Sequence, residues 1–272
     1  MRAYITLLSN KDYLLGVIGL YRSLLSVGAK YPFYCALSCS VGKDVEQCLE
    51  NEGIGCIRLS RTAYKEDANS SAGNHGHWNF TFDKLLIWEL VQFEKLVFLD
   101  SDMIVLRNID SLFDCKPFSA VSADCSFPGN EGWAGGLNSG LMVVRPDENV
   151  AKELSALAGD VIVKFRNRGA SVGDQDVIKE YCNWWTADKS LHLDEGYNIF
   201  ADHLYHYVKS VGYSLEADAC RPVYVVHFVG KRKPWMRKGF KGWLWLLRRC
   251  ACDAAYRSVY KKYIGLLNKR LS

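Results

Sequence analysis

Asp100 and Asp102 stand two residues apart, directly behind the apolar run Leu96-Val97-Phe98-Leu99. Two carboxylates that close repel each other unless one is protonated or a cation lies between them. Oxygen ligands of this kind suit a hard divalent ion such as Mg²⁺ or Mn²⁺. A bare Asp-x-Asp is common, and a turn carrying two solvated acids is the plainer account of it. If strand geometry persists through residue 102, both carboxylates point to one face and Ser101 to the other. A second cluster follows the apolar residues Val223 to Val226: His227, then Gly230, Lys231 and Lys233. A neutral imidazole there is a candidate third metal ligand, and a glycine turn with lysines can hold phosphate oxygens. The alternatives are a hydrogen-bonded structural histidine and a solvated basic loop.

Such residues need strands to hold them, and the chain around them alternates short apolar runs with helical patterns. Residues 2–8, 32–38, 55–59 and 95–99 read as strands. Between them, helices are predicted over 11–26, over 43–53 with Gly53 as its stop, and from Thr81 or Asp83 to Val91. Residues 95–99 are apolar without alternation, the pattern of a strand buried on both faces. The alternation predicts an α/β fold with a mostly parallel central sheet flanked by helices. Ligands of such sheets collect beyond the carboxyl ends of the strands, and Asp100 and Asp102 lie at one of those ends. In the second half, 139–145 and 223–229 read as strands, and 147–158 and 174–185 as helices. Residues 63–80 are polar and glycine-containing, and read as a loop of the length that lids have.

The chain has 272 residues, 49% hydrophobic and 24% charged, an ordinary globular composition. Its apolar stretches break well short of the roughly 18 residues a membrane span needs. The opening stretch Met1–Leu8 is too short for a signal peptide's apolar core and reads as a first strand. Ten cysteines without a CxxC pair read as reduced thiols. Together these give the expectation of a cytoplasmic protein. Charge is unevenly spread. Thirteen of the 34 Lys and Arg fall in residues 231–272 against one of the 30 acids, leaving the body near −8 and the tail at +12. The tail seeks anions. A nucleic-acid-binding role would account for it, but not for an acidic body with a carboxylate pair at a strand end.

Seven motifs, in order, carry a family resemblance: "YITLLSNKDYLLGVIGLYRSL", "FDKLLIWEL", "KLVFLDSDMIVLRNIDSLFD", "GGLNSGLMVVRP", "GDQD", "LDEGYN" and "HFVGKRKPW". Over most of residues 3–236 the chain resembles the glycogenin-like retaining glycosyltransferases (glycosyltransferase family 8, GT-A fold). The resemblance implies a single GT-A, Rossmann-like domain over 1–236; the segment after it, 237–272, reads from its own composition as a basic, aromatic-rich helical extension. It implies a retaining hexosyltransferase that moves glucose or galactose from UDP-glucose or UDP-galactose to a glycan, lipid-linked or protein acceptor.

By the same resemblance, Asp100, Asp102 and His227 match Mn²⁺ ligands, with Mg²⁺ as a substitute. Thr6, Asn10 and Tyr13 match the segment that receives uridine, Tyr13 standing where an aromatic stacks on uracil. Ser101 would lie near the ribose. Lys84 matches a basic residue at the diphosphate and sugar, and Gly230 and Lys233 match the loop that closes over the phosphates. Asn138 and Ser139 match positions that hydrogen-bond the donor sugar; read by themselves they are a strand-entry turn. Asp174 and Gln175 match the residues beside the anomeric carbon; read by itself, Asp174 is the N-cap of the helix that follows. Asp174, Gln175 and Lys84 are thus the catalytic candidates. An amide is a poor nucleophile, which favours same-face attack over double displacement.

Tyr205, in "YHY" seven residues past Asn198, matches the self-glucosylated tyrosine of glycogenin, the alternative being a residue packed in a helix. A nucleotidyltransferase or pyrophosphorylase with a similar core is a further alternative, although "LLSNKDYLLG" lacks the glycine-rich phosphate loop it would want. "DEGY" replaces the family's usual proline after Leu193 and leaves that loop's shape open. The tail over 237–272 has no aligned counterpart in glycogenin. It reads either as an amphipathic element on an anionic membrane surface or as a helix packed on the body. The family includes dimers and monomers, so a homodimer stays open.

Overall fold

The computed structural model describes residues 1–63, 73–122, 125–130 and 136–269. Its strands are β1 (Arg2–Leu8), β2 (Phe33–Leu37), β3 (Gly55–Arg58), β4 (Lys95–Leu99), β5 (Met103–Val105), β6 (Ala120–Val121), β7 (Leu141–Val144), β8 (His192–Leu193), β9 (Ile199–Phe200) and β10 (Val225–His227). Its α-helices are α1 (Leu14–Ser26), α2 (Lys43–Asn51), α3 (Glu148–Arg166), α4 (Asp174–Tyr181), the single turn α5 (Leu204–His206), α6 (Phe240–Cys252) and α7 (Ala254–Asn268).

The main sheet has the order β3-β2-β1-β4-β7-β6-β8. β3, β2, β1 and β4 are parallel neighbours, so their carboxyl ends share one edge. β7 runs antiparallel to β4, pairing Leu141 with Leu99, which brings the residues before β7 beside the residues after β4. β4 is buried on both faces: Leu96 and Phe98 join one core, Val97 and Leu99 the other. Behind Leu99 the chain leaves this sheet. After Asp100-Ser101-Asp102 it enters a second sheet, β5-β10-β9, in which β10 lies antiparallel to β5 and parallel to β9. The two acids therefore occupy a turn between two sheets, and strand geometry does not persist through residue 102.

Several other local expectations shift. Residues 11–13 form a separate 3₁₀ turn ahead of α1, held by Asn10 Oδ1 accepting from the Asp12 N–H. The segment expected as a helix from Thr81 or Asp83 is a 3₁₀ helix over Gly73–Glu89. Part of the loop expected over 63–80 is therefore helical, and 64–72 lie outside the described residues. α3 runs on to Arg166, beyond the predicted end, and α4 stops at Tyr181. Gly53, at φ 82°, takes the left-handed conformation that terminates α2, as expected.

The C-terminal helices meet the body unequally. α7 buries Tyr256, Val259, Tyr263 and Leu266 in a third core with Ile104, Ile199 and Val226. Arg22 of α1 donates from Nη1 to the carbonyls of Leu266 and Leu267, closing the end of α7. α1 admits this approach because it presents Gly19, where a Cβ would collide with the Tyr263 hydroxyl; Gly16 on the same helix makes room instead for the Ser101 carbonyl oxygen, 2.7 Å from where its Cβ would stand.

Candidate active site

The exit of β4 is fixed by its neighbours. The Asp100 N–H donates to the Gly140 carbonyl (2.8 Å), and the Phe228 N–H donates to the Asp102 carbonyl (2.9 Å). In the second sheet His227 pairs with Met103, the residue after Asp102. Three ligand atoms, one each from Asp100, Asp102 and His227, lie within 4.8 Å of one another. His227 Nε2 is 3.0 Å from Asp102 Oδ1 and 3.9 Å from Asp100 Oδ2. Two carboxylate oxygens and an imidazole nitrogen form a donor set that fits a divalent ion such as Mn²⁺ or Mg²⁺.

The imidazole is aimed from behind. His227 Nδ1 lies 3.0 Å from Asn198 Oδ1, and Asn198 Nδ2 donates to Asn138 Oδ1 (2.8 Å). An amide oxygen facing Nδ1 calls for a proton there, which leaves Nε2 as the nitrogen that meets the carboxylates and whose lone pair a bound ion would take. Asn198 is 1% exposed. Its placement comes from the "DEGY" segment, which forms a tight turn: Asp194 Oδ1 accepts from the Gly196 N–H and the Tyr213 hydroxyl, both at 2.8 Å, and the Tyr224 N–H donates to the Gly196 carbonyl. Sequence reasoning passed over Asn198 as a ligand-orienting residue; its signal was the "YN" that ends the "LDEGYN" motif.

Two buried lysines meet the acids. Lys84 Nζ lies 2.9 Å from Asp100 Oδ1 and 2.9 Å from Asp174 Oδ2, and donates at 3.3 Å to the Ser139 carbonyl and hydroxyl. Lys233 Nζ pairs with Asp102 Oδ2 and donates to the Phe228 carbonyl (2.6 Å). Burial by itself would lower both ammonium pKa values. Asp100 and Asp174 outweigh it at Lys84, and Asp102 at Lys233, so both lie above the ordinary lysine range. For the acids, burial pushes Asp100 upward, further than Lys84 and His227 pull it back. At Asp102 burial also pushes upward, but Lys233 and His227 prevail and hold the carboxyl well below the usual range.

Asp174 does not cap its helix. Gly173 is the N-cap, and the Asp176 carboxylate accepts from the Gly173 N–H (2.9 Å). Asp174, the first helical residue, turns inward to Lys84 and accepts from Ser139 Oγ (2.7 Å). Gln175 Oε1 accepts from the Ser139 N–H (3.1 Å), so what Gln175 can offer a ligand is its N–H₂. Asn138 Oδ1 is committed to Asn198 and to the Gly140 N–H (2.9 Å). Lys84, Asp100, Asp102, Asn138, Ser139, Asp174, Gln175, His227 and Lys233 thus form one connected cluster.

The remaining positions sit around it. Tyr13 is half-buried, 5.6 Å from Lys233 Nζ and edge-on to Trp235, whose Nε1 donates to the Asp12 carbonyl. Asn10 is exposed at the end of β1. Ser101 is buried in the turn between its acidic neighbours. Gly230 adopts φ 78°, which lets the chain turn out of β10 toward Lys233. Thr6 differs from these: it is fully enclosed within β1, and its hydroxyl has no hydrogen-bond partner among the described residues.

Comparison with known proteins finds relatives over most of the chain. Residues 4–239 match the family described as Glycosyl transferase family 8. Glycogenin-1 of Caenorhabditis elegans is 30% identical over 237 residues, covering 86% of this chain and 50% of that protein. UDP-glucuronate:xylan alpha-glucuronosyltransferase 2 of Arabidopsis thaliana is 27% identical, covering 86% and 35%. The chain therefore spans about half the length, or less, of these relatives. Among solved structures, the galactosyltransferase LgtC in complex with donor and acceptor sugar analogs superposes with a TM-score of 0.64 at 14% identity, over 100% of this chain and 98% of that one. The Streptococcus pneumoniae glycosyltransferase GlyE gives 0.60 at 17% identity, over 98% and 63%. These likenesses establish the GT-A fold.

Proposed function

The chain belongs to glycosyltransferase family 8, and from that premise we propose that it transfers a hexosyl group from a UDP-sugar to a carbohydrate-type acceptor, with retention at the anomeric carbon. The observation that carries this reading is the convergence of Asp100, Asp102 and His227 at the carboxyl end of β4, with Lys84 and Lys233 on the same two carboxylates. Glucose and galactose are the donor sugars proposed, as the motif resemblance implies.

A divalent ion held by Asp100, Asp102 and His227 would supply positive charge to the diphosphate leaving group. The chain's own residues do the rest. Lys233, at the end of the loop that turns at Gly230, carries a permanent ammonium to the phosphates. Lys84 holds the Asp174 carboxylate and the Ser139 loop in register, so Gln175 presents its N–H₂ beside the sugar. Asp174 is already bound by an ammonium and a hydroxyl, which weakens it as a nucleophile. We therefore favour same-face attack: the bond from the anomeric carbon to the UDP oxygen breaks, the acceptor oxygen bonds to that carbon, and the acceptor's proton passes to the departing phosphate.

The test is UDP release from a panel of UDP-sugars with Mn²⁺, Mg²⁺ or chelator. Ion-dependent release from at least one hexose donor is expected. Absence of release from every donor, with or without acceptor sugars, would reject the reading.

One observation favours a second acceptor, the chain itself. Leu204 and Tyr207 are buried, but Tyr205 between them is 50% exposed. Incubation with UDP-glucose and Mn²⁺ followed by intact-mass measurement decides this. Hexose additions that vanish in Tyr205→Phe support self-glycosylation, and an unchanged mass excludes it under those conditions.

A further inference from the structure

α6 presents Phe240, Trp243, Leu244 and Leu247 to solvent, at 84, 52, 60 and 63% exposure. Their spacing is i, i+3, i+4, i+7, which makes one continuous stripe along the helix. The helix cannot roll to hide it. On the opposite side Leu246 is buried in the third core, and Arg249 Nη2 donates to the carbonyls of Ala201 (3.2 Å) and Asp202 (2.7 Å). The stripe is thus an outward-facing surface, whereas α7 has spent its apolar face on the body.

Positive charge surrounds it. Lys241 and Arg248, both exposed, run along one edge of the stripe. Lys231, Arg232, Arg237 and Lys238 precede the helix and gather around a recess of about 210 Å³ against its inner side. Among the described residues no carboxylate pairs with any of these six. An exposed apolar stripe rimmed by cations that no carboxylate neutralises among the described residues is complementary to a surface that is apolar beneath and anionic above.

We propose that α6 docks on an anionic phospholipid bilayer, lying in the plane of the interface with Phe240, Trp243, Leu244 and Leu247 inserted below the headgroups and Lys241 and Arg248 on the phosphates. Trp243 suits such a depth, having an apolar ring and a polar N–H. Among the described residues no helix is long and apolar enough to cross a membrane, so the attachment is peripheral. A second copy of this chain is a poorer occupant, because a two-fold contact would press these cations against their own copies.

The experiment is co-sedimentation of the full chain with vesicles of phosphatidylcholine alone and of phosphatidylcholine mixed with phosphatidylglycerol. The variants are Trp243→Ser with Leu247→Ser, and Lys241→Glu with Arg248→Glu. Each pair is exposed, so folding is preserved and circular dichroism checks it. The expected result is binding to the phosphatidylglycerol vesicles that weakens about tenfold or more in the serine pair and also falls in the glutamate pair and with added salt. Binding to neither vesicle, equal binding to both, or binding that the serine pair leaves intact overturns the proposal. So does a dimer in sedimentation velocity that the serine pair dissolves, since the stripe then belongs to a second copy.

Discussion

His227 sits opposite Met103 in the antiparallel pairing of β10 with β5, and that register places its Nε2 3.0 Å from Asp102 Oδ1. The pairing joins residues far apart in the chain, so the metal-type donor set is built by the small second sheet and not by either strand alone.

Asp102→Ala removes one donor of the three and leaves Lys233 without its carboxylate. Mn²⁺ affinity, read by calorimetry, is expected to fall more than about a hundredfold, beyond the cost of losing an outer partner. UDP release should become insensitive to chelator. Full ion-dependent turnover in this variant would remove Asp102 from the site.

Acid should weaken ion binding before it unfolds the protein. Burial raises the Asp100 carboxyl, so Asp100 takes up its proton above the ordinary carboxylate range, and a bound ion must displace that proton. Asp102 stays ionised far into acid. Mn²⁺ affinity is therefore expected to decline as pH falls through the raised Asp100 value, about tenfold per pH unit once Asp100 is mostly protonated. Lys84 and Lys233 remain charged into alkali, so neither gives a basic limb near neutrality. A titration by electron paramagnetic resonance across pH measures the slope; affinity flat through the acidic range contradicts the account.

Asn198→Leu keeps the shape of the buried side chain but strips the partner from His227 Nδ1 and leaves Asn138 Oδ1 with the Gly140 N–H alone. The stranded imidazole N–H costs about 1–3 kcal/mol, visible in urea denaturation. The specific readout is Mn²⁺ affinity, expected to drop about 10- to 100-fold because the imidazole loses its aim. Loss of stability with undiminished affinity would mean that Asn198 is only a packing residue.

Gly140→Ala tests how closely the elements approach. A Cβ there would stand 2.9 Å from Asn138 Oδ1, 2.9 Å from His227 Cε1 and 3.0 Å from Met103 Cε. Something must move, at a cost of about 1–3 kcal/mol, and two of the three neighbours belong to the ligand network. A measurable fall in both melting temperature and Mn²⁺ affinity is expected.

Lys84→Met leaves Asp100 and Asp174 facing each other without their shared ammonium. Breaking a buried ion cluster in this way costs about 3–5 kcal/mol. In the variant the folded-state pKa of Asp100 rises further, so the folded protein binds a proton more readily than the unfolded chain. Its deficit relative to the parent should therefore shrink as pH falls through that raised value and be largest above it. Chemical denaturation of both proteins over a pH series checks the sign.

The sequence by itself determined the parallel half of the sheet and the location of the carboxylates. Strand 95–99 is apolar after Lys95 and strand 2–8 is apolar but for Arg2 and Thr6, and a run that must be buried on both faces has few alternatives in an α/β chain. The Asp-x-Asp at the end of β4, the histidine behind Val223–Val226 and the basic tail were all legible as local composition. The tertiary structure decided the rest. β5, β6, β8 and β9 are two or three residues long, too short for any periodicity, and they are strands only because neighbours pair with them. The second sheet alone brings His227 to Asp102. Asp174 looked like a cap, and only the fold revealed Lys84 and Ser139 drawing its carboxylate inward while Asp176 took the capping role. The tail's two helices carry similar residues, yet α7 is core and α6 keeps its stripe outside. That difference comes from which face Gly19, Arg22, Ile104 and Ala201 offer, a contact between distant parts of the chain that no local pattern encodes.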